Sequence, residues 1–319
     1  MAKIKLIQFL PGLVENWPLA KETNFGLGGP ARFFFRAKTK ADLLAALTVS
    51  TKLKLKTLVV GSGTNLVVAD RGFFGLVIKF EYQGPISKVL QVTANHLVAE
   101  ASISLMDLLK SSFNHNLAGL EKLSGIPGTL GGALVGNAGA YGQSISDHLV
   151  SVEIFDGRKI CLVPKSALRF TYRDSLLKHK LNWLVLSATF VLPAGDKKLL
   201  QAESKKIIRI RNGKYPPGIK SAGSFFKNFL VTKIPKRILK NIPANKIING
   251  KIPTGYLLED IGVKTLAVGG IQVAPFHANF LLNTGAGTTR QLKKLVQKLK
   301  QRTRSRFGLE LEEEIRYID

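Results

Sequence analysis

The sequence predicts an α+β fold in two successive parts, and three observations support this prediction. Over the first two hundred residues, segments rich in β-branched and aromatic residues alternate with segments whose apolar residues recur at helical spacing. A charged segment with helical periodicity then covers residues 197–211, and an Asn-Gly pair and Pro216-Pro-Gly218 end it. Beyond this interruption the two kinds of segment alternate again. We therefore expect a first domain over residues 1–205 and a second over residues 206–319.

The individual elements follow from the same two periodicities. In the first domain we expect strands at residues 32–36, 57–60, 76–80, 89–94, 150–155, 159–163 and 185–192, and helices at residues 40–49 and 104–115. In the second we expect a helix near residues 256–261, strands near residues 266–273 and 280–283, and a long helix over residues 288–306. In that helix Leu292, Leu295, Val296 and Leu299 fall at i, i+3, i+4 and i+7, so this face should be buried.

Composition restricts the class of protein. Apolar residues make up 45% of the 319 residues and aromatic residues 8%, which is typical of a folded globular chain. The longest nearly apolar run, residues 181–192, is shorter than the roughly 20 residues that span a bilayer, so we expect no membrane insertion. A single cysteine, Cys161, excludes an internal disulfide and fits a reducing compartment. No cysteine or histidine spacing indicates a metal site, and we expect a cytoplasmic protein without metal.

The formal net charge of +26 comes from 47 basic and 21 acidic residues. Such an excess is typical of nucleic-acid-binding proteins. Here the lysines are scattered along the chain, and no helix-turn-helix, RNP or zinc-finger pattern accompanies them. We therefore expect a basic surface that concentrates anionic ligands and no nucleic-acid partner. The alternative, a nucleic-acid-binding protein, predicts steeply salt-dependent RNA or DNA binding.

Two glycine-rich segments indicate a ligand site. Residues 119–142 contain eight glycines and almost no charge, so the bare backbone can approach a flat ligand closely. Residues 59–70 read as strand, tight turn and strand, and the turn Gly61-Ser-Gly-Thr-Asn65 is rich in donors suited to a phosphate group. Neither segment is a Walker loop or a Gly-x-Gly-x-x-Gly helix start, which excludes the commonest nucleotide-binding motifs.

Together with these segments, further motifs occur in a fixed order along nearly the entire chain. They are Thr23-Asn-Phe-Gly-Leu-Gly-Gly-Pro-Ala-Arg32, Gly61-Ser-Gly-Thr-Asn65, Gly125-Ile-Pro-Gly-Thr-Leu-Gly-Gly132, Asn137-Ala-Gly-Ala-Tyr-Gly142, Tyr172-Arg-Asp-Ser175, Ser221-Ala-Gly-Ser-Phe-Phe-Lys-Asn228, Gly269-Gly-Ile271 with His277-Ala-Asn-Phe280, and Leu311-Glu-Glu-Glu-Ile-Arg316. This order resembles the UDP-N-acetylenolpyruvoylglucosamine reductases, the MurB family of peptidoglycan synthesis. The resemblance implies an FAD-binding module of the vanillyl-alcohol-oxidase (PCMH) type with two subdomains divided near residues 75–85, followed by an α+β substrate-binding domain.

The resemblance also implies the ligands. FAD would be bound non-covalently, NADPH would be the co-substrate, and the enolpyruvyl group of a UDP-linked amino sugar would be reduced to give UDP-N-acetylmuramate. The implied cofactor residues are Gly61, Ser62, Gly63, Thr64, Asn65, Gly125, Ile126, Pro127, Gly128, Thr129, Gly131, Gly132, Asn137, Ala138, Gly139 and Tyr141. The implied substrate residues are Lys227, Asn228, Arg211 and Tyr215. A monomer is favoured, although no motif fixes the oligomeric state.

Three catalytic residues are implied by the matching motifs. Arg173 would stabilise the enolate that develops when hydride reaches the double bond, although a surface ion pair with Asp174 is the alternative. Ser224 would donate the proton, and Ser221 is its rival within the same motif. Glu314 would polarise the substrate carboxylate or assist the proton transfer.

Two alternatives stay open at this point. The acidic run at residues 310–314 is also compatible with a merely solvated strand, and the family commonly has proline where this chain has Glu313. Another flavin oxidase of the same fold would keep the glycine-rich segments but would have no need of the three catalytic motifs.

His277 lacks companions at metal-ligand spacing, and we expect it to be packed or hydrogen-bonded.

Overall fold

The computed structural model describes residues 8–319, which form two compact units. The first unit comprises residues up to 15, 33–62 and 74–213, and the second comprises residues 16–32, 63–73 and 214–319. The FAD-binding domain predicted over residues 1–205 and the substrate-binding domain predicted over residues 206–319 stay predictions. The compact units divide the chain later, between residues 213 and 214, and two amino-terminal segments belong to the second unit.

The strands are short, and most lie where β-branched and aromatic residues cluster. They are β1 (Val14–Pro18), β2 (Pro30–Ala37), β3 (Thr57–Val60), β4 (Leu66–Val68), β5 (Phe73–Phe80), β6 (Leu90–Thr93), β7 (His96–Glu100), β8 (Gly139–Ala140), β9 (Gln143–Ser144), β10 (Leu149–Phe155), β11 (Ile160–Pro164), β12 (Leu184–Val191), β13 (Phe229–Leu230), β14 (Lys251–Ile252), β15 (Ala267–Val268), β16 (Ile271–Val273), β17 (Leu281–Asn283) and β18 (Arg316–Ile318).

The helices differ widely in length. They are α1 (Lys40–Lys52), α2 (Leu105–Asn114), α3 (Leu130–Val135), α4 (Leu176–His179), α5 (Lys197–Lys214), α6 (Lys236–Leu239), α7 (Thr254–Asp260) and α8 (Thr289–Phe307). Short 3-10 turns lie at Leu19–Glu22, Ile86–Lys88, Glu121–Leu123, Lys165–Leu168, Val231–Lys233 and Ala244–Lys246.

The first unit is built around two sheets and one large apolar core. An antiparallel sheet has the strand order β11-β10-β12-β7-β6, and a second sheet contains β2, β5 and β3 in that order, in which β3 and β5 are parallel. Helix α1 begins at Thr39, whose side chain forms a capping box with Asp42. Its buried face packs in the same core as β5 and α2. The predicted strand 57–60 and the predicted helices 40–49, 104–115 and 197–211 are all found, within a few residues at their ends.

The second unit places its carboxyl-terminal strand beside an amino-terminal one. Strand β18 pairs in parallel with β4, and β15, β16 and β17 form a separate antiparallel sheet. Helix α8 starts at Thr288 with a capping box to Gln291 and ends at Gly308, which has φ +66°. The four apolar residues predicted to face inward on this helix are all at most 3% exposed, which confirms its predicted face. The unit thereby brings the last residues of the chain next to residues 65–68.

Candidate active site

In the first unit, the backbone of the glycine-rich segments requires glycine at two positions for different reasons. A Cβ at Gly61 would collide with the hydroxyl of Thr129 and lie 3.2 Å from its Cγ2. Gly128 has φ +125°, a conformation that residues with a side chain rarely adopt, and its carbonyl accepts a hydrogen bond of 2.9 Å from the amide of Leu105. Glycine is therefore required at position 61 by the packing of Thr129 and at position 128 by the backbone conformation.

Asn137 ties the glycine-rich segment to the turn at residues 171–174. Its Nδ2 donates to the carbonyl of Thr171 at 2.7 Å, and nearby Ser175 Oγ donates to the carbonyl of Val135 at 2.8 Å. The Oδ1 atom of Asn137 is buried and has no hydrogen-bond partner among residues 8–319. Because a buried acceptor without a partner costs free energy, this oxygen is suited to a donor supplied by a bound ligand.

Arg173 lies in that turn with φ +56°, a strained conformation for arginine. The turn is closed by a hydrogen bond of 3.0 Å from the amide of Thr171 to the carbonyl of Asp174, and the guanidinium carbon lies 5.8 Å from the ring centre of Tyr172. The Asp174 carboxylate accepts from His179 Nε2 at 2.9 Å. Partial burial raises the pKa of Asp174, but the hydrogen bond and charge of His179 outweigh it and leave the pKa lowered. The carboxylate considered as an alternative partner of Arg173 is thus engaged by a histidine.

Ser62, a further predicted cofactor residue of the first unit, is hydrogen-bonded within the protein. Ser62 Oγ donates to Glu81 at 2.9 Å, and Glu81 pairs with Lys79 at 3.1 Å. Arg211, predicted to bind substrate, packs against Gly125, where a Cβ would lie 3.1 Å from its Cδ. The remaining predicted residues follow on the same segment: Ile126, Pro127, Gly131, Gly132, Ala138, Gly139 and the exposed Tyr141.

Three predicted cofactor residues belong to the second unit. Gly63 accepts a hydrogen bond of 3.2 Å from the amide of Asn24, and Thr64 follows it in the turn. Asn65 Nδ2 donates to the carbonyl of Glu314 at 3.2 Å, and the Asn65 carbonyl accepts from the amide of Arg316 at 3.0 Å. The turn after β3 thus holds the backbone of the predicted catalytic glutamate.

A short antiparallel ladder brings the two catalytic motifs of the second unit together. The amide of Glu314 donates to the carbonyl of Phe225 at 2.8 Å, and the amide of Lys227 donates to the carbonyl of Glu312 at 2.8 Å. Lys227 Nζ also pairs with the carboxylate of Glu312 at 2.5 Å. Because side chains alternate along an extended strand, Glu314 shares a face of the ladder with Lys227. The structure therefore places the predicted Glu314 next to the motif that carries Ser224.

Asn279 fixes this motif from the other side and was missed by sequence reasoning. Its Oδ1 accepts from the amide of Phe226 at 2.9 Å, and its Nδ2 donates to the carbonyl of the same residue at 2.8 Å. Its own carbonyl accepts from the amide of Phe225 at 2.8 Å. The side chain is 2% exposed. The only sequence signal was its place in the His277-Ala-Asn-Phe280 motif.

Further contacts hold the predicted substrate residues. Asn228 Oδ1 accepts from the amide of Thr254 at 3.1 Å, and Thr254 Oγ1 donates to the carbonyl of Lys227 at 2.6 Å. Ser221, the rival proton donor, is buried, and its Oγ accepts from the amide of Gly223 at 3.2 Å. Ser224, by contrast, is partly exposed. The environment of the two serines therefore favours Ser224 as the one that can meet a ligand.

Aromatic side chains flank the same segment. Tyr215 stacks on Phe280 with ring centres 4.5 Å apart, and the backbone of Phe280 forms a β-bridge with Ser224. His277 lies 5.4 Å from Phe280, and its Nδ1 accepts from the amide of Asn279 at 3.1 Å. Burial lowers the pKa of His277, so the ring is neutral at pH 7. Among residues 8–319 no group of three or more His, Cys, Asp or Glu side chains is arranged to hold a metal ion.

Comparison with known proteins agrees with this geometry. Residues 215–318 match the model of the UDP-N-acetylenolpyruvoylglucosamine reductase carboxyl-terminal domain, and residues 31–159 match an FAD binding domain. The chain is 41% identical over 301 residues to the UDP-N-acetylenolpyruvoylglucosamine reductase of Solibacter usitatus, covering 94% of this chain and 95% of the relative. The chain belongs to this reductase family.

Other family members give the same result. The chain is 34% identical over 317 residues to the reductase of Geotalea uraniireducens, covering 99% of this chain and 97% of the relative. The crystal structure of UDP-N-acetylenolpyruvylglucosamine reductase (MurB) from Thermus caldophilus superposes with a TM-score of 0.72 at 27% identity, covering 96% of this chain and 98% of that structure. The predicted α+β fold with a PCMH-type FAD-binding module is confirmed.

The family assignment makes the chain an oxidoreductase with FAD as its cofactor. The first unit fits a bound flavin nucleotide in one respect: the buried Asn137 Oδ1 lacks a protein donor within the described residues, and a donor on the ligand would satisfy it. No helix in residues 8–319 is long and apolar enough to cross a membrane.

Proposed function

We propose that this chain reduces the enolpyruvyl double bond of UDP-N-acetylglucosamine enolpyruvate, with NADPH as electron donor, to give UDP-N-acetylmuramate for peptidoglycan. The observation that carries the proposal is the ladder between residues 225–227 and 312–314, since it pairs the two segments of the second unit that contain the proposed Ser224 and Glu314 motifs. Family membership over nearly the whole chain supports it. The chemistry that bound FAD supplies is hydride transfer, taken up from NADPH and passed to the double bond.

Arg173 stabilises the negative charge that develops on the substrate carboxylate when the double bond is reduced. Its backbone strain supports this role, because strained residues concentrate at functional sites. A fixed guanidinium aimed at the developing charge lowers the barrier more than a freely rotating one would. The hydrogen bond from His179 to Asp174 supports the same role, since that carboxylate has another partner.

Ser224 donates the proton that completes the reduction. A serine hydroxyl is a weak acid in water, so the role depends on nearby cations and on the exclusion of water. Lys227, three residues further on, pairs with Glu312 and by the alternation of the strand lies on the other face, so it does not supply this cation. Tyr215 and Phe280 stack beside the same backbone and reduce the access of water to it.

Glu314 acts on the substrate carboxylate or assists the proton transfer. Its backbone is held on both sides, by the carbonyl of Phe225 and by the side chain of Asn65. Lys227 and Asn228 bind the substrate beside it, and Tyr215 and Arg211 contribute to binding the UDP moiety. The first-unit residues of the glycine-rich segments, together with Gly63, Thr64 and Asn65, hold FAD.

The proposal is tested with the purified protein reconstituted with FAD. Anaerobic addition of NADPH should bleach the visible flavin absorption, and the enolpyruvyl sugar should restore it. Mass spectrometry should then show a product heavier than the substrate by two hydrogen atoms. A protein that cannot be reconstituted with FAD, or whose reduced flavin is reoxidised by oxygen but not by the enolpyruvyl sugar, contradicts the proposal.

A further inference from the structure

The surface of helix α8 carries a charge pattern that the reductase chemistry does not use. The helix contains eight basic residues, and four of them form ion pairs with carboxylates. These pairs are Lys293 with Asp319, Lys300 with Glu313, Arg304 with Glu310 and Arg306 with Asp260. The other four, Arg290, Lys294, Lys298 and Arg302, are exposed and form no side-chain ion pair within residues 8–319.

The four unpaired cations are separated by four residues each, so they form one row along the helix. We call them the basic row. At 1.5 Å per residue the row extends over about 18 Å, with one charge about every 6 Å. Like charges at i and i+4 destabilise a helix. The row therefore works against the stability of the helix that carries it, whereas the other four basic residues are compensated by carboxylates.

Nearby charges do not neutralise the row. At its amino-terminal end a groove of about 630 Å³ is lined by Arg290 and Lys294 and also by Arg71, a further exposed cation. The groove also contains two carboxylates, Asp70, which accepts from the first two amides of the helix at 2.7 and 3.1 Å, and Asp319, which pairs with Lys293 at 3.4 Å. Four cations line it against these two carboxylates, since Lys293 lies there as well, so its formal net charge is positive. The row thus continues into a groove that is also positively charged.

We propose that the basic row of helix α8 docks the protein on an anionic phospholipid surface. A row of unpaired cations complements a layer of lipid phosphates, and Lys and Arg near such a surface each contribute to binding. The apolar face of the helix is fully buried in the protein core, so it cannot enter the bilayer. Docking is therefore peripheral, electrostatic and reversible by salt.

The same surface suits single-stranded nucleic acid less well. Proteins that bind single strands combine a positive groove with aromatic side chains on which bases stack. The helix has one aromatic residue, Phe307, which is half-buried at its carboxyl-terminal end and packs against Leu309 and its neighbours. Tyr317, under Lys293, is half-buried as well. The row therefore offers charge without a stacking surface.

The test measures binding of the FAD-loaded full chain to vesicles by co-sedimentation. One variant removes the row: Arg290→Gln, Lys294→Gln, Lys298→Gln and Arg302→Gln. A control variant removes the same formal charge from four exposed lysines elsewhere: Lys38→Gln, Lys52→Gln, Lys88→Gln and Lys180→Gln. Circular dichroism and turnover with dissolved substrate verify that both variants are folded.

The wild type should bind vesicles of phosphatidylglycerol mixed with phosphatidylcholine, should not bind phosphatidylcholine alone, and should be released by salt. Removal of the row should weaken binding by roughly six hundredfold, since each of the four cations near an anionic surface contributes about fivefold. The control variant should lose much less. Equal losses in the two variants, or no binding to phosphatidylglycerol, overturn the proposal. Tighter binding to single-stranded RNA of equal phosphate concentration, lost with the same row, would assign the surface to nucleic acid instead.

Discussion

Replacing Asn279 with alanine should destabilise the second unit by about 2–4 kcal/mol. Asn279 is 2% exposed and makes two hydrogen bonds to the backbone of Phe226, itself 1% exposed. The substitution leaves a buried amide and a buried carbonyl without partners, and each such group costs about 1–3 kcal/mol. In a chain of this size a loss of that order lowers the thermal midpoint by several degrees.

The assay is urea unfolding of the FAD-loaded protein, followed by intrinsic fluorescence. Asn241→Ala is the matched control, because Asn241 is exposed and its hydrogen bond to the carbonyl of Arg237 is long, at 3.4 Å. Its effect should stay within about 0.5 kcal/mol. The Asn279 variant should also turn over more slowly, because Phe225 and Phe226 carry the ladder that holds Glu314. Equal stability of the two variants would refute the reasoning.

Three further substitutions test local features of the structure. Gly128→Ala should weaken FAD binding and cost about 1–3 kcal/mol of stability, because φ is +125° there. Gly213→Ala, in helix α5 where a Cβ would contact nothing, should be neutral or stabilising. Fluorescence titration with FAD and thermal unfolding measure both variants. Glu100→Gln should raise the thermal midpoint at pH 7, because burial raises the pKa of this carboxyl and its ionisation therefore opposes folding. The gain in thermal midpoint should vanish below about pH 4.5, where the carboxyl is protonated in the folded and the unfolded protein. A gain that persisted at that pH would contradict this cause. Lys300→Met should destabilise the protein by about 1–2 kcal/mol, because it leaves the mostly buried carboxylate of Glu313 without its cation. Lys298→Met should not destabilise it, because Lys298 is exposed. Equal unfolding midpoints of the two variants would contradict a stabilising role of the Lys300–Glu313 pair.

Most elements with strong periodicity could be predicted from the sequence. Helix α8 has apolar residues at helical spacing and a capping box at Thr288, and both signals are local. The hairpin of β6 and β7 was only half predicted, because its turn has Ala94 with φ +52° in place of the usual glycine or asparagine. The predicted strand 266–273 is two strands, because Gly269 and Gly270 form the turn between them. The glycine-rich segment contains the short helix α3, against the helix propensity of its glycines.

The residues of the candidate site could be named from the sequence, but the contacts between them could not. Motif resemblance named Ser224 and Glu314, whereas the pairing of the segments that carry them depends on a ladder between distant parts of the chain. Asn279 contacts Phe226 across 53 positions and Asn65 contacts Glu314 across 249, so no local pattern could reveal either pair. The same holds for the unpaired state of the basic row, which depends on where carboxylates fall in the folded chain.

The most direct test of the central claim separates the two half-reactions of the Ser224→Ala variant by stopped-flow spectroscopy. NADPH should reduce its flavin within about twofold of the wild-type rate, because that step needs no proton from Ser224. Reoxidation by the enolpyruvyl sugar should slow by roughly 10²–10⁴-fold, the usual contribution of a positioned general acid. Equal slowing of both half-reactions, or no slowing of the second, would contradict the assignment of Ser224 as the proton donor.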